Sequence, residues 1–205
     1  MINFDAIAGT EVTRAPFQFF ATPGVLSAVD LAAVRADFPD ISRPGLFPLS
    51  ELSYGPVFAR LIDDIRSPEL EDIMSEKYGI DLAGKPLMIT VRGHCRKRDG
   101  RVHTDTETKV ISCLLYLNDI WDGGGGRLRM LRRQADLDKP LAEIPPDGGT
   151  LASFQRADNS WHGHEPYEGE RRYVMFNWMT SDAAMEHELG RHRVSARVKA
   201  LNPFS

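Results

Sequence analysis

The chain has 205 residues, of which 42% are hydrophobic and 26% are charged, and its net charge is −4. This length and composition argue against a low-complexity or extended protein and favour one domain with one substantial core over residues 1–205. The acidic balance argues against a nucleic-acid partner, because such domains are usually basic. No apolar run approaches the roughly 20 residues that a membrane helix requires.

The cysteines and the first residues indicate the compartment. Cys95 and Cys113 are too few for the disulfide framework of a small secreted protein, so two reduced, buried thiols are expected. The segment from Met1 to Ala6 has neither the basic nor the apolar region of a signal peptide. We therefore expect a cytoplasmic protein that has no membrane partner.

Residues 1–84 have a mainly helical pattern. Apolar residues recur at three-to-four spacing over 25–38, and a second helical tract covers 56–65. Ser67 is followed by a proline and a glutamate, which predicts an N-cap and a new helix that ends at Gly79. We expect these helices to buttress a sheet.

Residues 85–180 change to short runs of β-branched, aromatic and aliphatic residues separated by turns. The predicted strands are 87–93, 102–105, 109–118, 126–131, 149–154, 160–164 and 171–179. Closely spaced strands without βαβ alternation favour an all-β sandwich or barrel. The run from Gly123 to Gly126 lacks the Lys-Ser/Thr and the helix of a phosphate loop, so we interpret it as a flexible turn. Residues 181–205 predict a C-terminal helix.

Three residues on these strands indicate metal chemistry. His103 and Asp105 are two apart, so on a strand their side chains point to the same face. His162, on a later strand, is the candidate third ligand. Two imidazoles and one carboxylate on one face of Fe(II) leave the opposite face open for a chelating cosubstrate and oxygen. His164 also faces the same way as His162 and is an alternative ligand.

Further residues extend this pattern on both sides of the triad. They are His103-Thr-Asp105, Tyr116-Leu-Asn, Trp121, Gly125-Gly126, Leu128, Ser160-Trp-His162 with Pro166, and Arg172-Tyr-Val-Met-Phe-Asn-Trp178. Over residues 87–180 this order resembles the Fe(II)- and 2-oxoglutarate-dependent oxygenases, most closely their prolyl-hydroxylase-like branch. The resemblance implies a mainly β fold, a double-stranded β-helix of the jelly-roll or cupin-like type, with N-terminal buttressing helices and a C-terminal helix.

The resemblance implies a role for each matched position of the metal site. His103, Asp105 and His162 would be the catalytic iron ligands. His162 is preferred because the Trp-His-Gly around it and the following Pro166 fit the family pattern. His164 would then touch the cosubstrate or the substrate.

The resemblance also implies how 2-oxoglutarate is held. Arg172 would pair with its distal carboxylate, and the Tyr116 hydroxyl would contact the same carboxylate. Trp178 and Arg172 are six residues apart, so on a strand they point to the same face. Because Trp178 is expected to point inward and close the cavity, Arg172 is preferred to Arg171 as the inward arginine. For Tyr116 and Trp178, simple packing in the core remains the alternative. Two further residues are expected to line the pocket: Leu114 and Leu128.

The implied reaction couples oxidative decarboxylation of 2-oxoglutarate to hydroxylation, with Fe(II), 2-oxoglutarate and O2 as requirements and ascorbate in support. Asp105 disfavours halogenation, because halogenating relatives carry a small residue at that position. The alternative is a non-catalytic or hydrolytic barrel that binds Zn(II), although such a protein has no use for an inward arginine beside a tyrosine.

The substrate is much less determined than the reaction. The stretch from Arg92 to Arg133 has ten Lys/Arg and five Asp/Glu. If its basic residues surround the mouth of the barrel, they favour an anionic small molecule or peptide. The alternative is that they are solvated loop residues without a role in binding. The sequence does not predict the oligomeric state.

Overall fold

The computed structural model describes residues 1–201, and their side chains up to residue 193. Residues 202–205 of the predicted C-terminal segment 181–205 lie outside the described residues. The described α-helices are α1 (Phe4–Gly9), α2 (Ala28–Ala36), α3 (Pro56–Ile65), α4 (Pro68–Tyr78) and α5 (Asp182–Leu201), with a short 3-10 helix at Leu49–Glu51. None of the helices in this part of the chain is long and apolar enough to cross a membrane.

The helical predictions for the N-terminal part are largely confirmed. Helix α3 covers the predicted range 56–65. The Ser67 side chain accepts a hydrogen bond from the Leu70 amide, and Gly79 ends α4 in the left-handed conformation with φ 66°. Helix α2 is shorter than the predicted 25–38, because Val25 lies before the Ser27 cap and pairs its amide with the Gly149 carbonyl.

Two antiparallel sheets form the core of the fold. The strands are β1 (Phe19–Thr22), β2 (Phe47–Pro48), β3 (Leu87–Cys95), β4 (Lys109–Tyr116), β5 (Leu128–Met130), β6 (Ala142–Ile144), β7 (Leu151–Gln155), β8 (His162–Gly163) and β9 (Gly169–Met179). The large sheet has the order β1-β7-β4-β9-β3-β2, and the small sheet has the order β6-β5-β8. This arrangement confirms the expected double-stranded β-helix with helices at both ends of the chain.

The prediction of a strand at 102–105 is wrong. His103 forms only an isolated antiparallel bridge with His162, through two backbone hydrogen bonds of 3.0 Å. The chain leaves the small sheet directly after His103 and turns at Thr106, whose carbonyl accepts from the Lys109 amide at the start of β4. Strands β1, β2 and β6 were not predicted, since they have only two to four residues.

The two faces of the large sheet pack against different layers. On β9, Val174, Phe176 and Trp178 belong to a core that includes the buried faces of the helices. Tyr173 and Met175, which alternate with them, belong to a second core that includes residues of both sheets. The barrel interior therefore lies on the Tyr173 side of β9.

Candidate active site

His103, Asp105 and His162 come together as the sequence predicts. One potential ligand atom from each lies within 4.8 Å of the others. The bridge between the two histidines places their rings 4.4 Å apart, centre to centre. Nδ1 of His103 hydrogen-bonds the Arg101 carbonyl at 2.8 Å, and Nδ1 of His162 hydrogen-bonds the Ser160 carbonyl at 2.9 Å. These carbonyls favour the tautomer that leaves each Nε2 free to bind a metal.

The Asp105 carboxylate is buried and held at both oxygens. Lys109 Nζ donates to Oδ1 at 3.0 Å, and Ser112 Oγ donates to Oδ2. Asn177 Nδ2 in turn donates to Ser112 Oγ at 2.7 Å. Burial opposes ionisation of Asp105, but Lys109 and His103 outweigh it and hold the pKa of this carboxyl well below its usual range. The carboxylate is therefore ionised and oriented for a cation.

The two histidines of the triad differ in burial. Burial lowers the pKa of His162 to about 4, although the Asp105 charge opposes that shift. His103 is more exposed, and its hydrogen bond with Asp105 raises its pKa above the ordinary value. His103 thus lies on the solvent side of the triad, and His162 lies on the inner side, where its ring packs 4.3 Å from that of Phe154.

The triad opens into a cavity of about 300 Å³ between the sheets. Inner lining residues include Leu114, Leu128, His164, Arg171, Tyr173 and Met175. This volume is at the lower end of the range for small-molecule sites. Leu114 and Leu128 therefore lie where the sequence predicts, in the wall of the pocket.

The prediction that Arg172 points into the barrel is wrong. Arg172 lies on the other face of β9, pairs with Glu170 at 2.8 Å and packs on the Phe38 ring. Arg171 is the inward residue, with 2% of its surface exposed, and it lines the cavity. Arg172 and Trp178 do share a face of β9, as alternation predicts, but that face packs against the helices, and the opposite face lines the interior.

The same error applies to Trp178, which was expected to close the cavity. Trp178 shares the face of Arg172 and is buried in the core that contains helix residues. Its ring packs 5.9 Å from that of Phe176, edge to face. The alternative of core packing is therefore the correct one for Trp178, because this face of β9 is covered by helices rather than by the small sheet.

Arg171 is fixed by neutral partners. Its Nε donates to the Gly126 carbonyl at 2.9 Å, and its Nη2 donates to the Tyr116 hydroxyl at 3.3 Å. The guanidinium also lies 5.2 Å and 5.1 Å from the ring centres of Tyr116 and Tyr173. Within the described part of the chain Arg171 forms no ion pair with a carboxylate. A buried guanidinium without such a partner needs an anion from elsewhere.

The Gly123–Gly126 turn has a structural role at this point. Gly126 has φ 75°, a conformation that glycine adopts without strain, and its carbonyl accepts the Arg171 Nε bond. Trp121 closes the turn by donating its ring N–H to the Gly125 carbonyl at 2.8 Å. The turn therefore orients Arg171.

His164 lines the cavity but does not join the triad. Its Nδ1 hydrogen-bonds the Glu165 carbonyl at 2.8 Å, and burial together with the Arg171 charge lowers its pKa to about 4. Its ring lies against Gly100, where an added Cβ would stand 2.0 Å from Nε2. His164 thus lies towards the Arg171 end of the cavity, as a neutral ring.

Most residues of the basic stretch lie away from the cavity. Of the ten arginines and lysines in this stretch, Arg92 and Lys109 line the cavity, and both are paired with carboxylates, Arg92 with Asp99 at 2.6 Å and Lys109 with Asp105 at 3.0 Å. Arg129 pairs with Glu143 and Glu165 at 2.7 and 2.9 Å outside it. Most of this stretch therefore does not form the expected basic rim.

Sequence reasoning missed several residues of the site. Lys109 was expected only to add charge to the basic stretch. It lies four residues after Asp105, and it pairs with that carboxylate. Helix α5 also contributes to the cavity wall, through Glu188, Arg191 and His192. No motif in the sequence marks these three residues, because only the tertiary fold brings the helix to the mouth of the barrel.

The residues present fit Fe(II) and 2-oxoglutarate. Two imidazole nitrogens and one carboxylate are the donor set of non-haem iron sites. Arg171, buried in the same cavity and lacking a carboxylate partner among the described residues, fits a cosubstrate that has a second carboxylate beyond its metal-chelating end.

Comparisons with known proteins agree with this fit. Residues 92–180 match the family model of the 2OG-Fe(II) oxygenase superfamily. No curated protein sequence matches the chain. A prolyl-4-hydroxylase from Pseudomonas putida has a similar structure, with 16% identity and a TM-score of 0.56 over 86% of this chain and 97% of that one.

Two further solved structures have the same fold. HygX from Streptomyces hygroscopicus, with nickel and 2-oxoglutarate bound, is 16% identical, with a TM-score of 0.53 over 78% of this chain and 82% of that one. The viral collagen prolyl hydroxylase vCPH from Paramecium Bursaria Chlorella virus-1, a 2-oxoglutarate complex, is 18% identical, with a TM-score of 0.51 over 80% and 95%. Residues 92–180 of this chain thus match the 2OG-Fe(II) oxygenase superfamily, the fold resembles that of prolyl hydroxylases, and the cofactors that the His-Asp-His site fits are Fe(II) and 2-oxoglutarate.

Proposed function

We propose that the protein is a hydroxylase whose substrate, a small molecule or a peptidyl residue, carries an anionic group. The buried Arg171 guanidinium, in the same cavity as the triad, carries the proposed reaction, and the excess of cationic side chains over carboxylates in the cavity lining favours an anionic substrate. Arg171 provides charge for the distal carboxylate of 2-oxoglutarate, and the triad provides the metal ligands. A hydrolytic zinc barrel would leave this buried cation without a function.

Each residue of the triad has a defined task in this proposal. Nε2 of His103, Nε2 of His162 and one Asp105 oxygen would hold Fe(II). When bound there, Fe(II) and 2-oxoglutarate would supply the O2 activation needed to hydroxylate a C–H bond of the substrate. Lys109 and Ser112 keep the Asp105 carboxylate ionised and in place. Because Asp105 fills the carboxylate position, no small residue is there to admit a halide, and hydroxylation is favoured over halogenation.

A second group of residues would orient 2-oxoglutarate. Arg171 would bind its distal carboxylate through N–H groups that Gly126 and Tyr116 do not use. Tyr116 would act as a positioning residue, because its hydroxyl accepts from the guanidinium. The surrounding apolar wall, which includes Leu114 and Leu128, would exclude water from the chelating end. His164, which lines the same cavity, would contact the cosubstrate or the substrate.

The test of this proposal is anaerobic titration of the Fe(II)-loaded protein with 2-oxoglutarate. We expect the weak visible charge-transfer band of the metal chelate, and in air we expect succinate to form in the presence of accepted substrates. A library of acidic metabolites and peptides, paired with their neutral analogues, would identify the substrate class. The His103→Ala variant should lose both signals. If the wild-type protein gives neither the band nor succinate, the oxygenase proposal fails.

A further inference from the structure

Helix α5 forms part of the cavity wall beside the triad. Glu188, Arg191 and His192 lie one turn apart on the same face of the helix, and all three line the cavity. The Glu188 carboxylate has only 6% exposure and accepts hydrogen bonds from the Thr106 and Thr108 hydroxyls at 3.3 and 3.4 Å. These threonines follow Asp105 directly, so Glu188 ties α5 to the segment that carries a metal ligand.

Positive charge predominates around His192. Lys109, Arg191 and Arg92 are close enough to lower its pKa, whereas Glu188 is the nearby carboxylate that raises it. Burial is the largest cause, and together these groups lower the pKa of His192 to about 4. The ring is therefore neutral at physiological pH, and it can donate one hydrogen bond to a ligand.

The charged side chains that line the cavity favour an anionic ligand. Its lining contains four cationic side chains and three carboxylates: Arg92, Lys109, Arg171 and Arg191, against Asp99, Asp105 and Glu188. Fe(II) adds two positive charges and 2-oxoglutarate adds two negative charges, so the loaded cavity keeps an excess of one positive charge. Lys109 is the cation most affected, because Asp105 would then share its charge with the metal.

We propose that Lys109, Arg191 and His192 form an anion subsite that binds one carboxylate group of the substrate between α5 and the segment after Asp105. This inference rests on the proposed function, since it treats the cavity as loaded with metal and cosubstrate. The single excess charge matches a monocarboxylate. A substrate held there lies next to the triad and does not compete with 2-oxoglutarate for Arg171.

Acetate is a suitable probe, with acetamide as its neutral isostere. Zn(II) replaces Fe(II), so that the protein binds 2-oxoglutarate without turnover and the NMR spectrum stays diamagnetic. The ring signals of ¹³C-labelled histidines are followed while each probe is added at constant ionic strength, and His192→Gln assigns the His192 signal. Arg191→Ala tests the subsite, because Arg191 lines the cavity, where it pairs with Glu188 at 3.2 Å. Arg193→Ala is the matched control, because Arg193 pairs with Glu51 and Glu186 outside the lining.

We expect acetate, but not acetamide, to shift the His192 signal saturably at saturating 2-oxoglutarate. Arg191→Ala should weaken acetate binding by about twofold to fivefold, the effect of one exposed charge-assisted contact, and Arg193→Ala should leave it unchanged. The inference fails if acetamide acts like acetate, if 2-oxoglutarate abolishes the acetate shift, or if Arg191→Ala binds acetate as well as wild type. The charge-transfer band of the Fe(II) protein with 2-oxoglutarate is measured separately, so its loss would refute the proposed function rather than the subsite.

Discussion

Two neighbouring arginines provide the sharpest test of the cosubstrate pocket. Arg171→Ala should weaken 2-oxoglutarate binding strongly, because it removes a buried arginine, with 2% of its surface exposed, that lines the cavity. A hydrogen bond to a charged group contributes about 1.5–3 kcal/mol. Each 1.4 kcal/mol corresponds to about tenfold in affinity. One lost contact therefore predicts a dissociation constant raised by roughly 10-fold to 100-fold, and a bidentate contact predicts more.

Arg172→Ala is the matched control, since it removes the same side chain from the next position of β9. Arg172 lies outside the cavity, so its loss should change 2-oxoglutarate affinity by less than about twofold. Arg171→Lys should restore only part of the affinity, because lysine keeps the charge but not the planar fork. The assay is anaerobic titration of the charge-transfer band, with thermal unfolding to confirm that each variant is folded.

Two outcomes would contradict the proposed role of Arg171 in binding the cosubstrate. If Arg172→Ala weakens binding as much as Arg171→Ala, the cosubstrate does not use the inner face of β9. If neither substitution matters, the buried charge of Arg171 has a purely structural role. In that case its contacts with the rings of Tyr116 and Tyr173 would be the reason for its burial.

Four other substitutions separate the roles of residues in and around the site. Asp105→Ala should abolish Fe(II) binding measured by calorimetry, whereas His164→Gln should keep it, because only Asp105 belongs to the triad. Trp178→Ala should lower the free energy of unfolding by about 3–5 kcal/mol in a urea titration and leave 2-oxoglutarate affinity unchanged, as expected for a core residue; weaker binding without loss of stability would contradict this. Gly100→Ala should destabilise the fold and displace His164, visible as a shifted histidine NMR signal, because its φ of 75° and the contact with the His164 ring leave no room for a Cβ.

The metal site could be predicted from the sequence because its information is local. His103 and Asp105 are two residues apart, and His162 lies in a motif of its own. His162 comes beside the other two residues through a single backbone pairing, the antiparallel bridge between His103 and His162. No complete strand is required, so the three residues come together as predicted even though the predicted strand at 102–105 is absent.

The orientation of β9 could not be predicted in the same way. Strand alternation fixes which residues share a face, and it correctly places Arg172 with Trp178. It does not say which face meets the small sheet and which meets the helices. Both faces of β9 are buried, so hydrophobicity alone does not distinguish them. Arg171 is buried against Tyr116 because of the register in which β4 and β9 pair, and the sequence of β9 alone does not reveal that register.

The charge of the cavity also depends on the fold rather than on local composition. The basic stretch from Arg92 to Arg133 contributes two residues to the lining, Arg92 and Lys109, and each of them is paired with a carboxylate. Arg191 lies far outside that stretch, yet it reaches the same cavity because Glu188 fixes α5 to the threonines after Asp105. Substrate preference in this enzyme should therefore follow substitutions in α5 more closely than substitutions in the exposed part of the basic stretch. Exchanging Arg132, which is exposed and outside the lining, for alanine should leave the preference for acidic over neutral substrates unchanged, whereas Arg191→Ala should reduce it.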